Sequence, residues 1–276
     1  MLVGAASALL SLVPPTYYLC APAASLRRHA LPCATLPSGG DQQKALVNLL
    51  QQAGIVDEPE RVEELSAGFC NWVYRVDLPE RADADACSML VKVFSPLAKL
   101  RISPPQRGLG DERAGEGGLG PRLHFRSADG LISDFVQGST LSEPDIHARS
   151  PWLLRRIAKN LAELHSLALP RAVPDDTGRP PVVLWQFLHT MLAHVSERPE
   201  TVPSGVHLQQ VVDEVERMRS RFDELGLPVV LGHGDLKPSN VMTLSPHARD
   251  AAPRLSSGVC FIDFELAGAH YRGHRS

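Results

Sequence analysis

Val229-Val-Leu-Gly-His233-Gly-Asp235-Leu-Lys237-Pro-Ser-Asn240-Val241 is the stretch on which the reading of this chain turns. Pro228, Val229, Val230 and Leu231 make an apolar, β-branched run of the kind that fills a buried strand. The run breaks at Gly232-His233-Gly234, and the next polar side chains are Asp235, Lys237 and Asn240. A second strand-like run, Gly258-Val-Cys-Phe-Ile-Asp263-Phe-Glu265, ends in two carboxylates. Two short strands thus deliver oxygen-bearing side chains at their C-terminal ends, with Asp235 and Asp263 28 residues apart. Chemistry on ATP needs that set. One carboxylate accepts the proton of a nucleophilic hydroxyl, while a carboxylate and an amide hold Mg²⁺ against the phosphates.

A catalytic loop of the kinase type carries an Asp and an Asn five residues apart, so that base and metal ligand hang from one turn. Asp235 and Asn240 have that spacing. Asp263 stands where the magnesium-binding Asp is expected, in Asp-Phe-Glu where protein kinases have Asp-Phe-Gly. Taken together, His233-Gly-Asp-Leu-Lys-Pro-Ser-Asn240 and Phe261-Ile-Asp-Phe-Glu-Leu-Ala-Gly-Ala-His-Tyr-Arg-Gly273 resemble the catalytic core of the choline/ethanolamine kinase family. That family belongs to the small-molecule kinases that include the aminoglycoside phosphotransferases. The resemblance implies an α+β, two-lobed protein-kinase-like fold, with a small β-rich N-terminal lobe and a larger, mostly helical C-terminal lobe. It also implies transfer of the ATP γ-phosphate, with Mg²⁺, to the hydroxyl of ethanolamine or choline, the first step of phospholipid head-group synthesis. On this reading Asp235 is the base, and Asn240 and Asp263 hold the metal. Glu265 is a further ligand or a supporting carboxylate, and Lys237 lies near the γ-phosphate.

Upstream, Arg61 to Asp77 alternates like a strand–turn–strand hairpin. A turn over Ser66 to Asn71 suits backbone N–H groups covering phosphates, and Gly68 and Asn71 resemble the Gly and Asn of the family's nucleotide loop. Met89-Leu-Val-Lys92-Val-Phe94 reads as a strand with Lys92 on the face opposite Val91 and Val93. In a kinase-like lobe that ammonium meets the α- and β-phosphates. A helix should follow and supply a carboxylate to orient Lys92. Residues 95–122 instead carry Pro104-Pro105 and six glycines, which argues against a full helix, with Glu112 and Glu116 both open as the partner. Gly130 to Leu141 reads as strand plus connector, resembling the family's hinge, where backbone around Asp134 to Val136 meets adenine.

Helical periodicity marks three further segments. From Asp41, Ala45, Leu46, Leu49, Leu50 and Ala53 share a face that Gly54 closes. Trp152 to Leu167 places Leu154, Ile157, Ala158, Leu161 and Leu164 on a stripe, with His165 a structural residue near its end. Val206 to Leu225 carries Leu208, Val211, Val212, Val215, Met218, Phe222 and Leu225 at the same spacing.

At 276 residues, 43% hydrophobic and 21% charged, the chain is globular, and a net charge of −3 supplies no basic field for nucleic acid. Five scattered cysteines form no C-x-x-C pair and read as free thiols. Residues 1–40 hold no Asp or Glu, and Leu2 to Val13 is too short to span a bilayer. They read as a targeting segment or a disordered extension, so the location is cytoplasmic or, alternatively, organellar. The expected division is 1–40, an N-terminal nucleotide-binding lobe over 41–140, and a C-terminal catalytic lobe over 141–276. The family's pattern continues past Tyr-Arg into pocket-forming helices, so the last lobe reads as truncated. Three functions stay open: a choline or ethanolamine kinase, another aminoglycoside-phosphotransferase-like kinase, and a catalytically impaired kinase-shaped binding protein.

Overall fold

The computed structural model describes residues 40–55, 59–67, 71–79, 87–148, 150–169, 181–245, 255 and 257–273. Among these, residues 184–228 form one compact unit and the remainder another. The larger unit opens with helix α1 (Gly40–Gln52) and an antiparallel sheet built from β1 (Arg61–Ala67), β2 (Asn71–Leu78), β3 (Cys87–Phe94), β4 (Leu123–Arg126) and β5 (Gly130–Asp134). The strand order is β1-β2-β3-β5-β4. Helix α1 lies on this sheet as its periodicity requires: Leu46, Leu49 and Leu50 pack with Tyr74, Val76, Val91, Val93 and Ile132. β3 is the central strand, with Lys92 in register with Val73 on one side and Leu131 on the other. A lysine there is buried on a two-sided sheet, and only 6% of Lys92 is exposed.

Residues 95–122 depart from expectation. Pro96–Arg101 is a helix (α2) whose N-cap Ser95 Oγ accepts from the Ala98 N–H at 3.2 Å. A 3₁₀ turn over Pro104–Gln106 follows, then helix α3 (Leu109–Glu116). Glycine in a helix costs about 1 kcal/mol relative to alanine, and packing outweighs that cost here. A Cβ on Gly110 would lie 2.4 Å from Ala267 Cβ, and one on Gly115 would lie 2.6 Å from the Pro121 carbonyl. Arg107 ties the segment together by donating to the carbonyls of Ile102 (2.9 Å), Ala128 (2.9 Å) and Lys99 (2.5 Å).

A three-stranded sheet joins β6 (Gly138–Thr140), β8 (Val241–Leu244) and β9 (Val259–Phe261), and β7 (Val229–Gly232) pairs antiparallel with β10 (Gly268–Tyr271). Sequence periodicity did not mark β10. After β6 come α4 (Glu143–His147) and α5 (Pro151–Ser166). Helix α5 forms where expected, with Leu164 buried and Ile157 and Leu161 packed on the core, but Leu153 faces inward in place of Leu154. Leu153, Asn160 and Leu164 are the buried positions, while Leu154 is exposed. Asn160 explains the offset, because its amide donates to the Val259 carbonyl at 2.8 Å and so belongs to the inner face. Leu153 and Leu164 share a core with Ala114, Leu231, Val241, Val259, Phe261 and Phe264. The two acidic loops project from this core.

Helix α6 (Val183–Ser196), which the sequence reading passed over, runs into the smaller unit, where α7 (Leu208–Leu225) ends at Gly226 with φ 57°. Trp185 meets Phe222 edge-on at 5.7 Å. Val215 is buried as expected, whereas Leu225 is exposed. Among the described residues no helix is long and apolar enough to cross a membrane.

Candidate active site

β7 ends at Gly232, and the chain turns through His233 and Gly234 to present Asp235. Gly234 has φ 83°, and a Cβ on it would lie 2.2 Å from the Leu266 carbonyl oxygen. Both facts restrict the position to glycine. His233 is buried against Phe261 and Phe264, and burial holds its imidazole below the ordinary value and so neutral. A neutral ring donates through one nitrogen and accepts through the other. Nε2 lies 2.9 Å from the Ile262 carbonyl and is the donor, leaving Nδ1 to accept from the Asp235 N–H at 3.4 Å.

The 3₁₀ turn Pro238–Asn240 brings Asn240 back onto Asp235. Asn240 Nδ2 donates to the Asp235 backbone carbonyl at 2.8 Å and lies 3.3 Å from its Oδ2. The same Oδ2 accepts from Lys237 Nζ at 2.8 Å. With its amide nitrogen turned to Asp235, Asn240 offers its oxygen elsewhere.

Two backbone bonds lock the second acidic loop to the first. The Ile262 N–H donates to the Asn240 carbonyl at 3.0 Å, and the Ile262 carbonyl holds His233. Asp263 is the next residue. At φ 64° it is the one non-glycine residue with left-handed backbone among those described. Aspartate tolerates that region better than most residues, and such strain gathers at functional sites. Its Oδ1 accepts from Lys92 Nζ at 2.7 Å. Burial works against the Asp263 carboxylate, and Lys92 outweighs it to hold the group below the usual range. Lys92 is the mirror case. Burial lowers it, but Asp263, then Asp111 and Glu265, keep the ammonium charged.

Asp111 is a second carboxylate close enough to Lys92 to favour its charged form. It stands on α3 on the same face as buried Ala114 and Gly115, and burial pushes its acid up to about 6. Its Oδ2 is buried with no hydrogen-bond partner among the described residues. The two expected partners point elsewhere: Glu112 pairs with Arg126 at 3.4 Å and Glu116 with Arg113 at 2.9 Å. Asp111 was legible only to a reader who had accepted the helix, because i, i+3, i+4 spacing then places it with Ala114 and Gly115. Lys92, Arg101, Asp111 and Glu265 line one cavity.

Glu265 accepts from Asn71 Nδ2 at 2.5 Å and faces Arg101 Nη1 at 3.8 Å. Burial, then Asp263, raise its acid above the ordinary value. Gly68 lies outside the described residues. The Asp134 carboxylate pairs with His124 Nε2 at 2.5 Å, its N–H bonds the Arg122 carbonyl at 2.9 Å, and Val136 packs on Leu244, Leu255 and Cys260. His165 is half-buried, held below its usual value by burial and Arg272.

An antiparallel sheet with a central lysine, followed by two interlocked acidic loops, defines the protein-kinase-like fold. Solved structures agree. An ethanolamine kinase from Plasmodium vivax superposes with TM-score 0.62 at 19% identity, over 85% of this chain and 65% of its own. An aminoglycoside phosphotransferase solved with streptomycin and ATP gives 0.53 at 15% identity, over 86% of this chain and 74% of its own. In sequence, mouse ethanolamine kinase 2 is 26% identical over 250 residues, which is 89% of this chain and 60% of the mouse protein. The profile of the choline/ethanolamine kinase family matches residues 62–275, and the chain belongs to that family. It spans about three fifths of the length of the mouse relative.

Proposed function

We propose that this chain transfers the γ-phosphoryl group of ATP to the hydroxyl of an amino alcohol, ethanolamine or choline. The observation that carries this reading is the interlock of the two acidic loops. Asn240 bonds Asp235 through its side chain and Ile262 through its backbone, and Asp263 beside it is clamped by Lys92. In the step, the substrate oxygen forms a bond to Pγ while the bond from Pγ to the β–γ bridging oxygen breaks. The hydroxyl proton passes to Asp235, whose oxygen is oriented by Lys237 and Asn240. In this reading Lys92 neutralises the α- and β-phosphates, and Lys237, beside Asp235, serves the γ-phosphate.

The donor set fits Mg²⁺. An Asp263 carboxylate and an Asn240 amide oxygen are hard ligands, and Mg²⁺ in such sites takes one or two carboxylates with phosphates and waters rather than a full protein cage. When bound, the metal supplies charge neutralisation and alignment of the phosphates. The names of the mouse and Plasmodium relatives favour ethanolamine as the acceptor to test first.

A coupled assay for ADP release against ethanolamine, choline and streptomycin tests this. Turnover with either amino alcohol is expected, and Asp235→Asn should lower kcat by about 10²–10⁴-fold with little change in the KM for ATP. Turnover with streptomycin alone would move the assignment to the aminoglycoside class. ATP binding without turnover on any acceptor would favour the non-catalytic reading. An Asp263→Ala variant that keeps full Mg²⁺-dependent ATP affinity would remove the metal role.

A further inference from the structure

Glu265 stands two residues beyond Asp263, close enough in sequence for a metal ligand, yet its carboxylate points to other groups. One oxygen accepts from Asn71 Nδ2 at 2.5 Å and the other faces Arg101 Nη1 at 3.8 Å. Asn71 is the first residue of β2, at the end of the segment joining β1 to β2, and 194 residues separate it from Glu265. Both groups are largely out of water: Asn71 is 6% exposed and the Glu265 side chain 14%. A hydrogen bond to a charged acceptor is about twice as strong as a neutral one, and more so away from solvent. The Asn71 oxygen is itself buried without a partner among the described residues, so the amide is held there by what its nitrogen does.

We propose that Glu265 is a positioning residue, a strap that fastens the β1–β2 hairpin to the Asp263 loop through Asn71, and not a ligand of the metal. Helix α2 joins the same strap through Arg101. The site then has two carboxylates with separate tasks two residues apart. Asp263 faces Lys92, and Glu265 fixes where the hairpin sits above it. The purpose of the strap rests on the phosphotransfer reading, since the hairpin end it holds is the one expected to cover phosphates.

The test uses the full chain and four variants: Asn71→Ala, Asn71→Asp, Glu265→Gln, and the exchange of both as Asn71→Asp with Glu265→Gln. Three quantities are read: affinity for a fluorescent ADP analogue in EDTA, affinity of that complex for Mg²⁺, and the urea midpoint without ligand. A strap requires Asn71→Ala and Asn71→Asp to weaken metal-free nucleotide binding by about tenfold, the size of one charge-assisted hydrogen bond. Glu265→Gln keeps an acceptor oxygen but loses the charge, so it should weaken metal-free nucleotide binding less than Asn71→Ala does, while the affinity for Mg²⁺ stays close to that of wild type. The exchange variant places a Gln donor against an Asp acceptor and should recover most of what Asn71→Asp loses. A metal ligand behaves oppositely. Glu265→Gln would then lower Mg²⁺ affinity steeply, Asn71→Ala would leave it unchanged, and the exchange would recover nothing.

Either that pattern or additive urea midpoints across the Asn71/Glu265 cycle overturns the strap. The urea arm needs no ligand, so it stands apart from the phosphotransfer reading. A wild-type chain that binds no nucleotide would sink that reading, and the strap's purpose with it, while non-additive midpoints would still show the bond.

Discussion

Two glycine-bearing stretches approach the turn from Phe264 to Ala267, and they use glycine for opposite reasons. At Gly234 the backbone itself demands it: φ is 83°, and a Cβ would sit 2.2 Å from the Leu266 carbonyl. Gly110 lies in ordinary helical backbone, where alanine would normally be preferred. What it supplies is absence of bulk, since a Cβ would come within 2.4 Å of Ala267 Cβ and 3.1 Å of the Phe264 carbonyl. The first stretch turns the chain to present Asp235. The second brings a helix close enough for Asp111 to act on Lys92. Glycine content alone cannot separate a turn from a close approach, because what differs is the atom standing opposite.

Alanine at each position is the sharpest way to break that comparison. Gly234→Ala combines a left-handed backbone with a collision against fixed main chain. It should destabilise by more than about 3 kcal/mol and abolish phosphotransfer. A folded, active variant would mean the loop can move away from Leu266. Gly110→Ala is the more discriminating test, because the two effects have opposite signs. Helix propensity alone predicts a gain of about 1 kcal/mol. The contact with Ala267 predicts a loss of about 1–3 kcal/mol, as for other overpacked sites. A lowered urea midpoint with a higher KM for ATP is expected, and a raised midpoint would return Gly110 to the role of a mere weak helix former.

The same distinction explains how much the sequence disclosed. The loops bearing Asp235, Asn240 and Asp263 were readable because their chemistry is local: one turn and fixed spacings. The sheet was readable because Val91 and Val93 alternate with Lys92 on a strand. Helix α3 was not, because its stability comes from contact with residues more than 150 positions away, as Gly110 with Ala267 shows. Asp111 was lost with it. The inward place of Asn160 was not legible either, since its partner Val259 is 99 residues distant and invisible to any local pattern. Strand β10 gives a further case, for among the described residues its pairing is with β7, more than 30 positions away.

Two aspartates, Asp111 inside the once-illegible segment and Asp129 bonded to it through Lys99, sharpen the contrast between burial and exposure. Burial raises Asp111 to about 6, so the folded chain takes up a proton there that the unfolded chain does not hold. Stability on its account is greatest below about pH 4 and falls, by about 1–3 kcal/mol, as pH rises to about 6. Asp111→Asn should flatten the urea midpoint over that window, and an unchanged slope would mean Asp111 is better solvated than its setting implies. Asp129 has the reverse sign. The hydrogen bond from Lys99 at 2.5 Å, against a smaller effect of burial, holds it below the ordinary range. Its contribution is present above the unfolded value near 4 and is lost as pH falls through the lower folded one. Half of this side chain is in water, so the effect should not exceed about 0.5 kcal/mol and should fade in high salt. Asp129→Asn should therefore differ from wild type more at pH 7 than at pH 3. A larger loss would show that α2 hangs on this surface pair rather than on Arg107, whose guanidinium donates to three backbone carbonyls.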